Sequence, residues 1–269
     1  MATQQQGVSI LMPVKNATPF LQRCLQSIVI QQVRWELIVV DDHSTDDSSE
    51  ILTAWATKHT NIRLLKNNGH GIIDALKTAY AHSNHAFVTR MDADDAMPAD
   101  KLQILLNTWR AHSSKDPVVV GKVKYMAEEA LGGGYKRYEK WINQNLDGEQ
   151  PMVRIYQECV VPSCAWLMSS NRFDQLTAQG TWKYPEDYDL CFNIYLQLVP
   201  LVVADKVVHH WYDHKHRTSR TSEVYRDQDF FELKLDYFLQ KDVDTTKKCM
   251  LWGAGPRGKK LAKIMIDRG

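Results

Sequence analysis

The chain has 269 residues, 44% hydrophobic and 24% charged, enough to bury a full core in one large domain or two smaller ones. Its 33 Lys and Arg nearly balance 32 Asp and Glu, for a formal net charge of +1, so no global field draws it onto nucleic acid or an anionic membrane. The opening MATQQQGVSI lacks a signal peptide's basic and apolar segments, and no window has the roughly 18 unbroken apolar residues of a membrane span. The expected setting is the cytoplasm, with peripheral contact at the inner membrane face left open. Cys24, Cys159, Cys164, Cys191 and Cys249 are odd in number, mostly among apolar neighbours and without C-x-x-C spacing, which predicts reduced thiols rather than a disulfide framework or zinc site.

In chain order, apolar strand-like runs at 8–12, 36–40, 62–65, 87–90 and 118–120 alternate with helix-like segments, the rhythm of parallel βαβ units. The first helix carries Leu21, Leu25, Ile28 and Val29 on one face, and the fourth carries Leu102, Leu105, Leu106 and Trp109, so each is expected to pack on a sheet. Right-handed crossovers bring the strands' carboxyl ends to one edge, where ligands of open α/β sheets collect. The residues there are PVKN (13–16), DDHSTDD (41–47), KNNGHG (66–71) and MDADD (91–95).

After residue 121 the pattern turns aromatic and mixed, α+β in character. Gly132, Gly133 and Gly134 precede YEKWINQNL, whose helical spacing suggests a lid or substrate-side element. Farther on, DVDTTKKC reads as a linker to MLWGAGPRGKKLAKIMIDRG, in which Gly253, Gly255 and Gly258 form G-x-G-x-x-G between a strand and a helix. One βα unit falls short of the two mononucleotide halves that hold NAD, so no cofactor is assigned to it.

Closely spaced aspartates at a strand end suit a hard divalent cation such as Mg²⁺ or Mn²⁺. Asp92, Asp94 and Asp95 meet that description and share the expected edge with Asp41 and Asp42; a solvated turn would use the same residues. In YPEDYDL, Pro185, Glu186 and Asp187 suit the first turn of a helix, and a carboxylate there could also serve as a general base.

Four segments, VSILMPVKNATPFLQRCLQSI, ELIVVDDHSTDDSSEIL, FVTRMDADDAMPADKL and YPEDYDLCFNIYL, occur in that order. Together they resemble the inverting glycosyltransferases of family 2, over the chain to about residue 225. The resemblance implies a GT-A fold at 1–240. Within it lie a Rossmann-like nucleotide-binding half with a mixed central sheet (1–121) and an α+β acceptor half (122–240). The start of an appended Rossmann-like segment follows at 247–269. It further implies that Pro13, Val14 and Asn16 line the nucleotide pocket and that Asp42, with Asp41 beside it, accepts a hydrogen bond from the base. Asp92 and Asp94 would form the DxD motif, with Asp94 reaching the ribose or a Mn²⁺ or Mg²⁺ ion and Asp95 as an additional metal ligand. Asp187 matches the family's base, supported by Glu186. The run 211–220 is similar to the family's W-x-D-H-x-x-R-x-S-R, in which His214 would complete the metal shell and Arg217, Ser219 and Arg220 would meet the diphosphate. Arg90 is a further phosphate candidate or, alternatively, an ion pair of the acidic cluster.

The implied partners are a nucleotide-sugar donor, UDP-linked by resemblance, and a carbohydrate or glycoconjugate acceptor, with no nucleic acid and no integral membrane segment. Trp141, Trp166, Trp182 and Trp211 are candidates for stacking on sugar rings. Lys15 and Lys77 depart from residues frequent in the family, tyrosine and asparagine, and bear on donor preference. The competing readings are a non-catalytic nucleotide- or glycan-binding relative and a Mg²⁺-dependent nucleotidyltransferase.

Overall fold

Each apolar run of the first half becomes a strand: β1 (Gln5–Val14), β2 (Trp35–Asp41), β3 (Ile62–Lys66), β4 (His85–Arg90) and β5 (Val118–Met126). The computed structural model describes residues 5–127, 132–177, 182–215, 217, 230–244 and 246–268. Four helices alternate with these strands: α1 (Thr18–Val29), α2 (Ser48–Lys58), α3 (Gly71–Ala81) and α4 (Lys101–Ala111). The apolar faces of α1 and α4 are buried as their spacing predicts, with Leu21, Leu25, Ile28, Leu102 and Leu105 fully inaccessible. At roughly 25 cal/mol per Å² of apolar surface, each such side chain contributes about 2 kcal/mol.

The second half adds α5 (Gly133–Leu146), β6 (Trp166–Ser169), α6 (Ser170–Thr177), α7 (Glu186–Leu196) and β7 (Leu201–Tyr212). The expected two halves therefore share one seven-stranded sheet, ordered β3-β2-β1-β4-β6-β5-β7. Strands β1 to β4 are mutually parallel; β6 runs antiparallel to both β4 and β5, and β7 is parallel to β5. The order reverses between β1 and β4, which opens a crevice at their carboxyl ends.

Helix α5 is docked on the sheet. Short β6 pairs only with Val119 and Val120 of β5, and polar side chains of α5 meet backbone groups farther along. Asn143 accepts from the Val123 amide at 3.0 Å and donates to its carbonyl at 2.8 Å, while Glu139 accepts from the Tyr125 amide at 2.5 Å. The helix so satisfies a strand edge that would otherwise be open to mispairing.

Two compact units divide the chain, Met1–Asp213 and His214–Gly269, so the division falls earlier than the expected boundary near residue 240. The second unit contains α8 (Phe231–Lys241) and α9 (Pro256–Asp267), joined by ion pairs from Arg268 to Glu232 and Asp236. Its glycine turn has a steric basis: Gly253 sits at φ +120°, and a Cβ on Gly258 would lie 2.1 Å from the Gly253 carbonyl oxygen.

Candidate active site

Two groups of loops meet the crevice edge in the first unit. The loops after β1 and β2 lock each other. Asn16, at φ +51°, accepts from the Thr45 amide at 2.8 Å and donates its own amide to Ser44 Oγ at 3.0 Å. The first amides of α1 are capped from the other loop, Ala17 by Ser48 Oγ and Thr18 by Asp46. Asp41 accepts from the Ser44 amide and the Ser49 hydroxyl and is buried. Asp42 is buried too; it accepts from Asn67 Nδ2 at 2.7 Å and the Gly71 amide at 3.0 Å, with Lys15 Nζ at 3.3 Å. Burial alone would raise the Asp42 pKa, but the donors from Asn67, Gly71 and Lys15 outweigh it and hold the carboxyl below its ordinary value.

Of the residues expected on the pocket wall here, Pro13 is half-buried and Asn16 exposed. Val14 is a correction: its side chain is 1% exposed within the hydrophobic core, and its carbonyl accepts from the Asp42 amide at 2.7 Å. Strand alternation turns it inward.

The DxD segment alternates as well. Asp92 and Asp94 are half-buried, whereas Ala93 and Asp95 face inward. Asp95 also corrects the expectation. It is fully buried, with Oδ2 3.0 Å from His209 Nε2 and Oδ1 accepting from the Tyr212 amide at 2.8 Å. It anchors β7 to the DxD turn instead of presenting itself to a solvent cation. Behind it, Lys101 Nζ donates to the Cys164 carbonyl at 2.5 Å and lies 3.4 Å from His209 Nδ1. His209 thus meets a carboxylate at one ring nitrogen and the Lys101 amine at the other. Burial presses the Lys101 pKa down to about 8.

Arg90 links this segment to α7. Its Nε and Nη2 each lie 2.8 Å from Oδ1 of Asp92, and Nη1 lies 2.6 Å from Oε1 of Glu186. Desolvation works against the guanidinium charge, but Asp92 and Glu186 more than compensate and its pKa is raised. Arg90 thus bridges Asp92 and Glu186, the latter 96 residues away in sequence, as the ion-pair alternative describes. Asp187 follows Glu186 and accepts from the Tyr188 amide at 2.8 Å. Burial, then the neighbouring Glu186 charge, push its carboxyl up to about 7 against the partial relief from Arg90. Glu186 Oε2 is buried without a protein partner and lies against a cavity of about 30 Å³ shared with Asp187, Asn193, Trp166 and Trp182. That volume fits one water.

Both Asp92 and Asp94 offer the hard oxygen donors a Mg²⁺ or Mn²⁺ ion prefers, and Arg90 occupies only one oxygen of Asp92. The donor set fits the cation. Arg23, unforeseen from the sequence, steadies the same turn: Nη2 donates to the Asp94 carbonyl at 2.9 Å, and its guanidinium stacks 3.5 Å above the Tyr212 ring. Lys101 was foreseeable in part, since it shares a helix face with Leu105 one turn on. Trp166 and Trp211 are buried, whereas Trp141 and Trp182 are half-buried. His214 and Arg217 belong to the second unit, and Ser219 and Arg220 lie outside the described residues. All five cysteines are free, four of them buried.

A sequence model described as glycosyl transferase family 2 matches residues 9–175. The chain belongs to this family. Escherichia coli chondroitin synthase is 30% identical over 104 residues, 38% of this chain and 15% of that protein. Among solved structures, S. aureus TarS 1-349 in complex with UDP-GlcNAc superposes with a TM-score of 0.67 at 18% identity, over 90% of this chain and 69% of that one. The mannosyltransferase PcManGT from Pyrobaculum calidifontis, in complex with GDP-Man and Mn²⁺, gives a TM-score of 0.63 at 17% identity, over 98% of this chain and 70% of that one. The fold is that of the GT-A glycosyltransferases. The chain spans less than a fifth of the length of the chondroitin synthase, and no helix among the described residues is long and apolar enough to cross a membrane.

Proposed function

We propose that this family 2 glycosyltransferase is a metal-dependent, inverting enzyme. It moves a sugar from a nucleotide diphosphate, with UDP as the carrier, to a hydroxyl of a carbohydrate acceptor in polysaccharide or glycoconjugate synthesis. The observation that supports this most is the Arg90 bridge: it ties the strand-end Asp92 to the helix-start Glu186 and so brings the cation-type carboxylates and Asp187 into one neighbourhood.

In this reading Asp42 receives the base, and its depressed pKa keeps it ionised as an acceptor. Asp94, with the second oxygen of Asp92, would hold a divalent ion, which would neutralise charge on the departing diphosphate. Asp187, raised to about 7, is matched to neutral-pH proton transfer. It removes the acceptor hydroxyl's proton as that oxygen attacks the anomeric carbon opposite the diphosphate, and a single displacement inverts the configuration. Glu186 and Arg90 act as positioning residues for that base.

The test is nucleotide release from UDP-sugars and GDP-sugars with and without Mn²⁺, alongside nucleotide thermal shifts. UDP should stabilise the protein, Mn²⁺ should accelerate release, and Asp187→Asn should keep UDP binding while losing transfer. Stabilisation by GDP alone would replace the donor, and transfer by Asp187→Asn at the wild-type rate would remove the base.

A further inference from the structure

A second cation-type cluster lies at the other end of the crevice. Asp42, His43 and His70 each bring one ligand atom to within 4.8 Å of the others, the one such trio among the described residues. Three local features support more than a chance meeting. His43 sits at φ +58° at the end of β2, in the left-handed region that holds its ring beside His70, with centroids 4.5 Å apart. The His43 Nε2 lies 2.9 Å from the Gly69 carbonyl; donating there leaves the lone pair on Nδ1, the arrangement common in metal-bound histidines. Asp42 is fixed in place by Asn67 and Gly71, while its remaining neighbour is the ammonium of Lys15, whose side chain is 57% exposed. A cation can therefore replace a cation there without stripping the carboxylate of its other partners.

We propose that Asp42, His43 and His70 form a site for a borderline divalent transition ion of the zinc class, and that its occupancy excludes the nucleotide donor. Two imidazoles and one carboxylate select Zn²⁺ or Co²⁺ over the hard ions suited to the DxD turn. A tetrahedral ion with bonds of about 2.0–2.1 Å needs donors roughly 3.4 Å apart; the exposed rings of His43 and His70 can close that gap by side-chain rotation. A solvent molecule would complete the shell. The exclusion half of the proposal rests on Asp42 as the base-reading residue; the metal half does not.

Cobalt absorption tests the site on this chain, in an Asp92→Asn, Asp94→Asn background that removes the other cation site. One equivalent of Co²⁺ should give visible d–d bands that Zn²⁺ bleaches, and His43→Ala with His70→Ala should abolish them. In otherwise wild-type protein, micromolar Zn²⁺ should weaken UDP binding at least fivefold by calorimetry, an effect absent from the double-histidine variant. Bands that survive the histidine substitutions, no bands at all, or UDP binding indifferent to Zn²⁺ would each overturn the proposal. Because the cobalt spectrum is read without nucleotide, it judges the site alone, whereas failure of UDP to bind zinc-free protein counts against the donor reading.

Discussion

The two ends of the crevice use the same residue type in opposite ways. Around β2, Asp41, Asp42 and Asp46 are surrounded by amides, hydroxyls and Lys15; although desolvation opposes it, donors from Ser48 and Thr18 pull Asp46 down to about 2. At α7, Glu186 and Asp187 share a single guanidinium with Asp92, and burial dominates, so Asp187 rises to about 7. Donor supply sets the charge state at the first end; scarcity of donors sets it at the second. A loop rich in Ser and Thr makes carboxylates into permanent acceptors, whereas a helix start over an aromatic-lined cavity raises the proton affinity of one.

The comparison is broken most severely by Asp187→Asn. Transfer should fall about 10³-fold, within the usual range for a lost general base, with UDP affinity within twofold of wild type by calorimetry. The raised pKa adds a stability signature. A carboxyl whose folded pKa lies above its unfolded value of about 3.9 destabilises the fold progressively as pH rises from about 4 to 7. The amide is free of that cost, so the variant's thermal midpoint should exceed the wild type's at pH 8 and not at pH 4.

Next in size is Arg90→Met, which strands Asp92 and Glu186 without their common cation. Removing one partner from a buried ion pair costs about 3–5 kcal/mol, readable as a lower urea midpoint. Arg90→Lys should recover part of this, since one ammonium cannot reproduce the two-sided grip. The wild-type pH profile sharpens the contrast: below about pH 7, kcat/KM should fall tenfold per unit as Asp187 takes up its proton, while UDP affinity holds steady because Asp42 remains ionised. Smallest is Asp46→Ala, which removes an acceptor from the amide at the start of α1 and should cost about 1 kcal/mol by chemical denaturation.

The first five strands were legible because their runs are mainly apolar and the first four are followed by polar turn residues, as at Val39, Val40, Asp41 and Asp42. Strand β7 was harder. It carries His209 and His210 in mid-strand, and His209 is tolerated in the core only because Asp95 and Lys101 saturate both ring nitrogens. Those partners are 114 and 108 residues away, beyond the reach of local pattern. The same limit explains Asp95: motif spacing groups it with Asp92 and Asp94, but its partners, His209 and the Tyr212 amide of β7, draw it inward from the turn. Val14 was misplaced because strand alternation turns it inward. Glu186 and Asp187 could be marked as a helix start, yet the elevated proton affinity of Asp187 depends on burial and on Arg90, which only the folded chain brings there.

The guanidinium clasp also limits how this catalyst can be redesigned. Exchanging the end of β4 with its turn for that of another transferase would leave Glu186 stripped of its countercharge, and exchanging α7 alone would leave Arg90 with Asp92 as its one remaining carboxylate of the bridge. Positions 90, 92 and 186 therefore travel as one cassette, and chimeras that cut between them should misfold before they change specificity.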